Sequence, residues 1–529
     1  MLGGCACGSI RFRHARRGRR SDSNSAPQPR RAPCVWCWGA SPRIRSTITF
    51  AGAYGWMRSH WSERLMVRTL ERLVLMGLLA AVFLAPWMFG AVERWAVHAL
   101  TAMLLILLGL WGAKAVLERA VRVHLTPIHA VLLGMLLVAA IQLTGTSSSA
   151  ARDEHVQASE ATDVLNGREL DAPPNTRLSQ DPSGTRQAMW RLAMLIGYFS
   201  LATELLRGAR RRAGVFVVLM ILGFLLALVG LLQKFAGNGR LLWIREVEAV
   251  ELAFGPFVNR NHAAGFLELL FPLPVAMILA HGVTRERWGV CGLLACVMGT
   301  ALALTGSRGG VLVLGAELLL LPLLWWAMNA AARPSRRFGV LLVAIVGAGI
   351  ALGVFWIGAE PIVSRWSAIE GITNTLHDPL NRPMIWRATW EMIRDHPWWG
   401  VGLGAYAIAY TRYDRSTGLW RVEQAHNDYL QLVAELGVWG LLLLLGVVTA
   451  LGRAARRALR STAGHPAARF DRALALGVTV ALLGIGIHSA FDFALQVTAN
   501  ALLFLLLIAL LENSGAHHVE REVIREKSI

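Results

Sequence analysis

The chain has 529 residues, of which 55% are hydrophobic and 16% charged, and it carries a formal net charge of +19. Soluble domains carry about 25% charged residues, so this composition excludes an ordinary soluble enzyme and indicates a polytopic α-helical membrane protein. The arginines cluster in short segments between apolar runs, which argues for a role in membrane orientation and against nucleic-acid binding.

Residues 1–66 form a basic N-terminal arm that is rich in Arg, Ser and Pro and has no sustained hydrophobic periodicity. Segments of this composition cannot bury enough apolar surface to offset the entropy lost on folding, so we predict that the arm is disordered. An alternative interpretation is that translation starts at Met57 or Met66.

Residues 67–512 contain repeated apolar runs of about 20 residues, the length of helix that crosses about 30 Å of hydrocarbon. We therefore predict an all-α fold with about 12 transmembrane helices. The predicted spans are Leu73–Val92, Ala96–Ala113, Ile128–Leu143, Ala188–Leu206, Gly214–Leu232, His262–His281, Trp288–Thr305, Gly309–Met328, Phe338–Gly358, Tyr429–Leu451, Ala473–Gln496 and Ala499–Leu511.

The basic residues between the spans predict the orientation of the chain. Arginine-rich segments recur between alternate pairs of spans, on the side that also receives residues 513–529 after the last span. The positive-inside rule makes that side cytoplasmic, so the arm and the 513–529 tail are both predicted to be cytoplasmic. The opposite side receives the longest loop, residues 359–425, before the tenth span.

The long loop contains a candidate amphipathic helix. Trp386, Trp390 and Ile393 recur at the spacing of one helix face, and Pro383 suits the first helical turn. We expect this helix to lie on the outer membrane surface. The loop also contains glycines at 400, 402 and 404, which predict turns because no strand precedes them to form a nucleotide-binding unit.

Three arginines on the outer side have two interpretations each. Arg308 stands beside Gly309 in a very short turn between two spans, where an arginine near exposed backbone amides suits a phosphate or diphosphate. The alternative is a cation that anchors a helix end at the lipid headgroups. Arg382 and Arg387 have the same two interpretations, and Arg387 also has an intrahelical partner in Glu391.

His426 precedes an apolar helix and is the candidate general base, because imidazole is available in its neutral form near neutral pH. It is followed by Asn427 and Asp428, which are candidate substrate-binding residues, although either could instead be the N-cap of that helix. Glu435, in the same helix, is a further candidate binding residue or a partner of this site.

Ionisable residues inside the predicted spans are functional candidates by default, although the sequence does not rank them. They are Glu204, Glu268, Glu317, His488 and Asp492. Cys5 and Cys7, and Cys34 and Cys37, have metal-like spacing in the N-terminal arm, but the sequence contains no H-E-x-x-H motif or carboxylate-rich cluster, and we predict no dedicated metal site.

The segment Phe257–Gly440 resembles the O-antigen ligase and polymerase family of bacterial membrane glycosyltransferases. The motifs that carry the resemblance are Ser307-Arg308 in a short outer turn, Arg382 followed by Trp386 in the long loop, and His426-Asn427 with the later Glu435-Leu436-Gly437.

The resemblance implies a glycan donor carried on undecaprenyl diphosphate, with lipid A–core or a second lipid-linked glycan as the acceptor. It implies that Arg308 and Arg382 hold the diphosphate, that His426 activates the acceptor hydroxyl, and that Asn259 and Asn261 line the sugar site. It further implies inversion at the anomeric carbon, no cofactor or metal, and a site that faces the periplasm from the bacterial inner membrane.

Other functions remain open at this point. The sequence does not separate an O-antigen ligase from an O-antigen or exopolysaccharide polymerase, because the two differ in the acceptor. The main alternative is a transporter of a small anion such as bicarbonate, with a path lined by Glu268 and Glu317. A flippase for the lipid-linked glycan ranks last, because the predicted spans contain few cations.

Overall fold

The computed structural model describes residues 50–144, 178–247, 253–329, 336–358, 382–415, 421–460 and 466–526. The chain divides into residues 1–59 and a compact unit of residues 60–529. Residues 1–49 of the arm that was predicted to be disordered, and residues 359–381 of the long loop, lie outside the described residues. Residues 50–66 of the same arm are helical and belong to the helix Phe50–Trp87.

The described residues form helices, with isolated bridges and no strands. The first half contains α1 (Phe50–Trp87), α2 (Arg94–Glu118), α3 (Pro127–Gln142), α4 (Pro182–Leu205), α5 (Ala209–Ala236), α6 (Arg260–Glu268), α7 (Pro272–Leu279) and α8 (Trp288–Leu304). The second half contains α9 (Arg308–Met328), α10 (Arg336–Ile357), α11 (Arg382–Asp395), α12 (Tyr406–Tyr410), α13 (Asp428–Leu436), α14 (Val438–Arg460), α15 (Pro466–His488) and α16 (Thr498–Glu526). Short 3-10 turns occupy Phe89–Ala91, Arg285–Arg287 and Ala494–Gln496.

Within these described ranges, nine helical segments are long and apolar enough to cross a membrane. The prediction of an all-α polytopic membrane protein is therefore confirmed. The helices α3, α4 and α16 lie at three further predicted spans but do not meet the same criterion of length and hydropathy. The number of 12 crossings stays a prediction.

Two predicted spans have different limits in the structure. The span Ala473–Gln496 was predicted too long, because α15 ends at His488 and an irregular segment follows. The span Tyr429–Leu451 is divided at Gly437, where a positive φ of 61° separates α13 from α14. As a result, Asp492 and Glu435 lie outside the long apolar helices, where periodicity alone had placed them inside.

The sixth predicted span lies in the centre of the bundle and is broken. In the segment Arg260–Leu279, 94% of the most apolar window is buried, the highest fraction among the candidate spans of the described chain. The first part, α6, ends at Glu268, and α7 begins at Pro272. Proline has no N–H to donate and clashes with a preceding helical turn, which accounts for the break.

Ion pairs join the basic segments that were predicted to share one side. Glu71 contacts Lys114 and Arg211 at 3.4 and 2.7 Å. At the same end of the bundle, the fully buried Arg212 contacts Asp471 at 2.6 Å. The contacts agree with the predicted alternation of sides, while the assignment of that side to the cytoplasm rests on the positive-inside rule.

The helix predicted in the long loop is present as α11, and its place on the outer membrane surface stays a prediction. Ile385, Ala388 and Met392 are buried against Tyr406 and its neighbours, whereas Trp390 is 55% exposed. The spacing of the tryptophans predicted the helix correctly. The helix packs on the rest of the loop through small and aliphatic residues of another face.

The three loop glycines occupy turns, as predicted. Gly400, Gly402 and Gly404 all have positive φ, between 68 and 113°. A methyl group on Gly400 would lie 2.4 Å from the Glu435 carbonyl, so the loop approaches α13 more closely than a side chain permits.

Candidate functional site

A polar cavity of about 340 Å³ opens where four separate segments of the chain meet. The segments are the start of α6, the α8–α9 turn, the start of α11 and the irregular segment after α15. The lining residues are Arg260, Asn261, Gly306, Ser307, Arg308, Gly309, Arg382, His488, Phe491 and Asp492. Three arginines against one aspartate and a histidine give the cavity a charge that suits an anionic ligand.

The predicted tight turn before Arg308 is present. Gly306 has a φ of 69°, and the Ser307 hydroxyl caps α9 by accepting a hydrogen bond from the Gly310 N–H at 3.2 Å. This cap fixes Arg308 as the first residue of α9, beside the cavity. A short, capped turn therefore holds the guanidinium on a rigid helix end.

Asp492 links three of the residues that the sequence singled out. Its carboxylate accepts hydrogen bonds from the Asn261 side chain and from the Phe493 N–H, and Arg382 Nη2 lies 3.4 Å from its Oδ2. Burial alone would raise the pKa of Asp492, but the hydrogen bond with His426 and the Arg382 charge outweigh it and lower this pKa below its usual range. Asp492 is therefore an anion at neutral pH.

His426 is the third partner of Asp492. Its Nδ1 lies 3.3 Å from Asp492 Oδ1, and its ring packs edge-on against Phe493 at 5.0 Å. The residue has a positive φ of 49°, which is costly for a side chain with a Cβ and is held here by these contacts. The Nδ1 contact leaves Nε2 as the nitrogen that can meet an acceptor hydroxyl.

Residues 293–445 match the family model described as O-antigen ligase. The chain carries an O-antigen ligase family domain. Arg308, Arg382 and His426 all fall inside the matched segment, whereas Asp492 and His488 lie beyond it. No curated protein matches the chain.

The O-antigen ligase domain indicates a membrane glycosyltransferase of the O-antigen ligase or polymerase type. It gives no support to the small-anion transporter considered from the sequence. In the described part of the chain, no group of three His, Cys, Asp or Glu side chains could hold a metal ion.

Several predicted binding residues of the O-antigen ligase domain and its flanks make structural contacts outside the cavity lining. Asn259 caps α6 by accepting from the Asn261 N–H, and Asn427 caps α13 by accepting from two backbone N–H groups. Asn427 thus fulfils the N-cap interpretation. Arg387 pairs with Glu391 at 3.6 Å on the exposed side of α11. The binding roles of these residues stay predictions.

Two acidic residues of α13 also lie outside the cavity lining. Asp428 accepts from the Ser489 hydroxyl at 2.8 Å, which joins α13 to the segment after α15. Glu435 accepts a hydrogen bond from the Gly404 N–H at 2.9 Å and thereby holds the glycine loop, which contains Gly400, Gly402 and Gly404. Their substrate-binding roles likewise stay predictions. The observed contacts show that each side chain holds a neighbouring segment of the chain against α13.

The sequence assigned no role to Arg260 and did not rank Asp492 and His488, and all three line the cavity. The sequence feature that indicates Asp492 is the pair of polar residues Ser489 and Asp492, which interrupt the apolar segment predicted as the span Ala473–Gln496. A carboxylate at that depth needs partners, and the asparagine and arginine that supply them are distant in sequence.

Proposed function

We propose that the protein transfers a glycan from undecaprenyl diphosphate to a hydroxyl of an acceptor, either lipid A–core or a second lipid-linked glycan. The observation that carries the proposal is the convergence of Arg308, Arg382 and Asp492 on one cavity, with His426 outside the lining but in contact with Asp492. Cations for a diphosphate and an oriented base for a hydroxyl are the two elements that such a transfer needs.

The arginines stabilise the diphosphate leaving group. Negative charge builds up on the diphosphate as the sugar–oxygen bond breaks, and guanidinium groups fixed in a partly dry cavity stabilise it in the transition state. Because this charge is neutralised by side chains, the proposed reaction does not require a metal ion or a cofactor.

The Asp492–His426 pair activates the acceptor hydroxyl. Anionic Asp492 accepts the Nδ1–H of neutral His426, which leaves the Nε2 lone pair to take the proton of the acceptor hydroxyl. The hydroxyl oxygen then attacks the anomeric carbon on the face opposite the diphosphate, so the configuration at that carbon inverts.

We further propose that residues 67–512 form the membrane domain in the bacterial inner membrane, between the 1–66 arm and the 513–529 tail in the cytoplasm. The cavity then faces the periplasm, where a lipid-linked glycan is presented at the outer leaflet. The proposal is supported by the basic segments, which lie at the other end of the bundle.

Glycan analysis of a deletion strain tests the proposed function. Accumulation of single lipid-linked repeat units identifies a polymerase, and accumulation of long lipid-linked chains identifies a ligase. Normal surface polymer with no lipid-linked intermediate would contradict the proposal. The deletion is complemented with the intact gene to exclude effects on neighbouring genes.

A further inference from the structure

A buried His–Glu pair forms part of the cavity wall. His488 Nδ1 lies 2.8 and 2.9 Å from the two carboxylate oxygens of Glu268. The side chains are only 1% and 0% exposed. His488 ends α15 and Glu268 ends α6, so the pair joins two helix ends at the break in the central span.

The chemistry of the pair determines what His488 presents to the cavity. A buried pair without net charge is much less costly than a single buried charge. Two forms satisfy this condition: an imidazolium with a carboxylate, or a neutral imidazole whose Nδ1 accepts the proton of a carboxylic acid. In both forms the Nε2 nitrogen carries a hydrogen and is a donor.

The position of Nε2 places this donor beside Arg308. A methyl group built on Gly309, the residue after Arg308, would lie 3.6 Å from His488 Nε2. Gly309 and His488 both line the cavity, and no side chain at Gly309 separates the imidazole from the start of α9. The imidazole and the guanidinium therefore adjoin the same part of the cavity.

We propose that His488 donates a hydrogen bond from Nε2–H to the diphosphate, as a contact in addition to those of Arg308 and Arg382. Glu268 is its positioning residue, because it fixes the ring and keeps the proton on Nε2. The inference rests on the proposed function and extends it to two residues outside the motifs that suggested the family.

The test measures binding of inorganic pyrophosphate to the purified full-length protein by isothermal titration calorimetry. The double variant His488→Phe/Glu268→Leu replaces the pair with apolar side chains of similar size, so that no charge is left buried without a partner. The matched control is Glu317→Leu, which also removes a fully buried carboxyl but lies away from the cavity lining.

The proposal predicts that the double variant binds pyrophosphate at least about tenfold more weakly than the wild type, because a hydrogen bond to a charged group is lost. Glu317→Leu keeps the wild-type affinity. If the double variant does not fold, His488→Gln serves instead, since its amide satisfies Glu268 but does not reach the cavity, and it shows the same weakening. Wild-type affinity in the folded His488 variant, or no pyrophosphate binding by the wild type, overturns the inference.

The two proposals fail in distinguishable ways. Transfer activity with unchanged pyrophosphate affinity in the His488 variants refutes the inference and leaves the proposed function intact. Pyrophosphate binding that depends on His488, in a wild-type protein without transfer activity, refutes the proposed function and leaves the anion contact intact.

Discussion

His426 Nδ1 lies 3.3 Å from Asp492 Oδ1, and this contact joins the end of the long outer loop to the segment after α15. The carboxylate also meets Arg382 and Asn261, so one buried anion organises residues from three parts of the chain. Removal of its charge is expected to affect the base and the arginine together.

Asp492→Asn keeps the shape of the side chain but removes the charge that orients His426. We expect the rate of glycan transfer in isolated membranes to fall by about 100-fold or more, the range lost with a general base. The control is Asp181→Asn, because Asp181 is the N-cap of α4 and asparagine caps equally well. A wild-type rate in Asp492→Asn, at equal protein level, would show that the Asp492–His426 pair does not act in the transfer.

Asp428 predicts a pH dependence of stability. Burial raises the pKa of Asp428 to about 7, although hydrogen bonds from Ser489 and Leu495 oppose the shift, whereas an unfolded aspartate has a pKa of about 3.9. Between about pH 4 and pH 7 the folded protein therefore binds more protons at Asp428 than the unfolded chain does. The contribution of Asp428 to the free energy of unfolding falls as the pH rises through this range.

The measurement is the thermal denaturation midpoint of the purified protein between pH 5 and pH 8. We expect the wild-type midpoint to fall over this range more steeply than that of Asp428→Asn. The difference between the two slopes isolates Asp428 from other titrating groups. Parallel slopes would show that the folded carboxyl titrates as in the unfolded chain.

The glycine loop predicts a strong asymmetry between two glycine substitutions. Gly400 has a φ of 68°, and an added methyl group would lie 2.4 Å from the Glu435 backbone. Gly400→Ala is expected to lower the free energy of unfolding by about 2 kcal/mol or more. Gly452→Ala, in open space within α14, is expected to leave it unchanged or raise it. Equal denaturation midpoints for the two variants would contradict the observed loop.

The orientation is testable with single cysteines in a background whose six native cysteines are replaced by serine. A cysteine at Arg415, in the outer loop and more than half exposed, is expected to react with an impermeant maleimide in intact spheroplasts. A cysteine at Arg285, in the turn before α8, is expected to react only after permeabilisation. The opposite pattern would reverse the predicted sides.

The sequence predicted the helices and the outer arginines because both depend on local features. Hydropathy marks apolar helices, and Arg308 stood out because glycines flank it in a turn with almost no loop. Asp492 could not be ranked, since its role depends on contacts with Asn261 and Arg382, which are more than 100 residues away. Local periodicity contains no information on such partners.

The same limit applies to the residues around His426. Asn427 and Asp428 are equally suited to capping and to binding in the sequence, and only the contacts with α13 and Ser489 distinguish their structural roles. Glu435 was expected near His426 because both belong to one segment, but the helix directs its carboxylate to Gly404. Helical direction, rather than sequence distance, decides which side chains share a site.

The central claim is that Arg308 and His426 act in one reaction on a lipid diphosphate. The most direct test is transfer by the purified protein from an undecaprenyl-diphosphate glycan to an acceptor, with Arg394→Ala as the control for loss of an exposed arginine of α11. We predict that Arg308→Ala and His426→Ala each reduce the rate by about 100-fold or more, while Arg394→Ala retains it. Full activity of the Arg308 and His426 variants would contradict the claim.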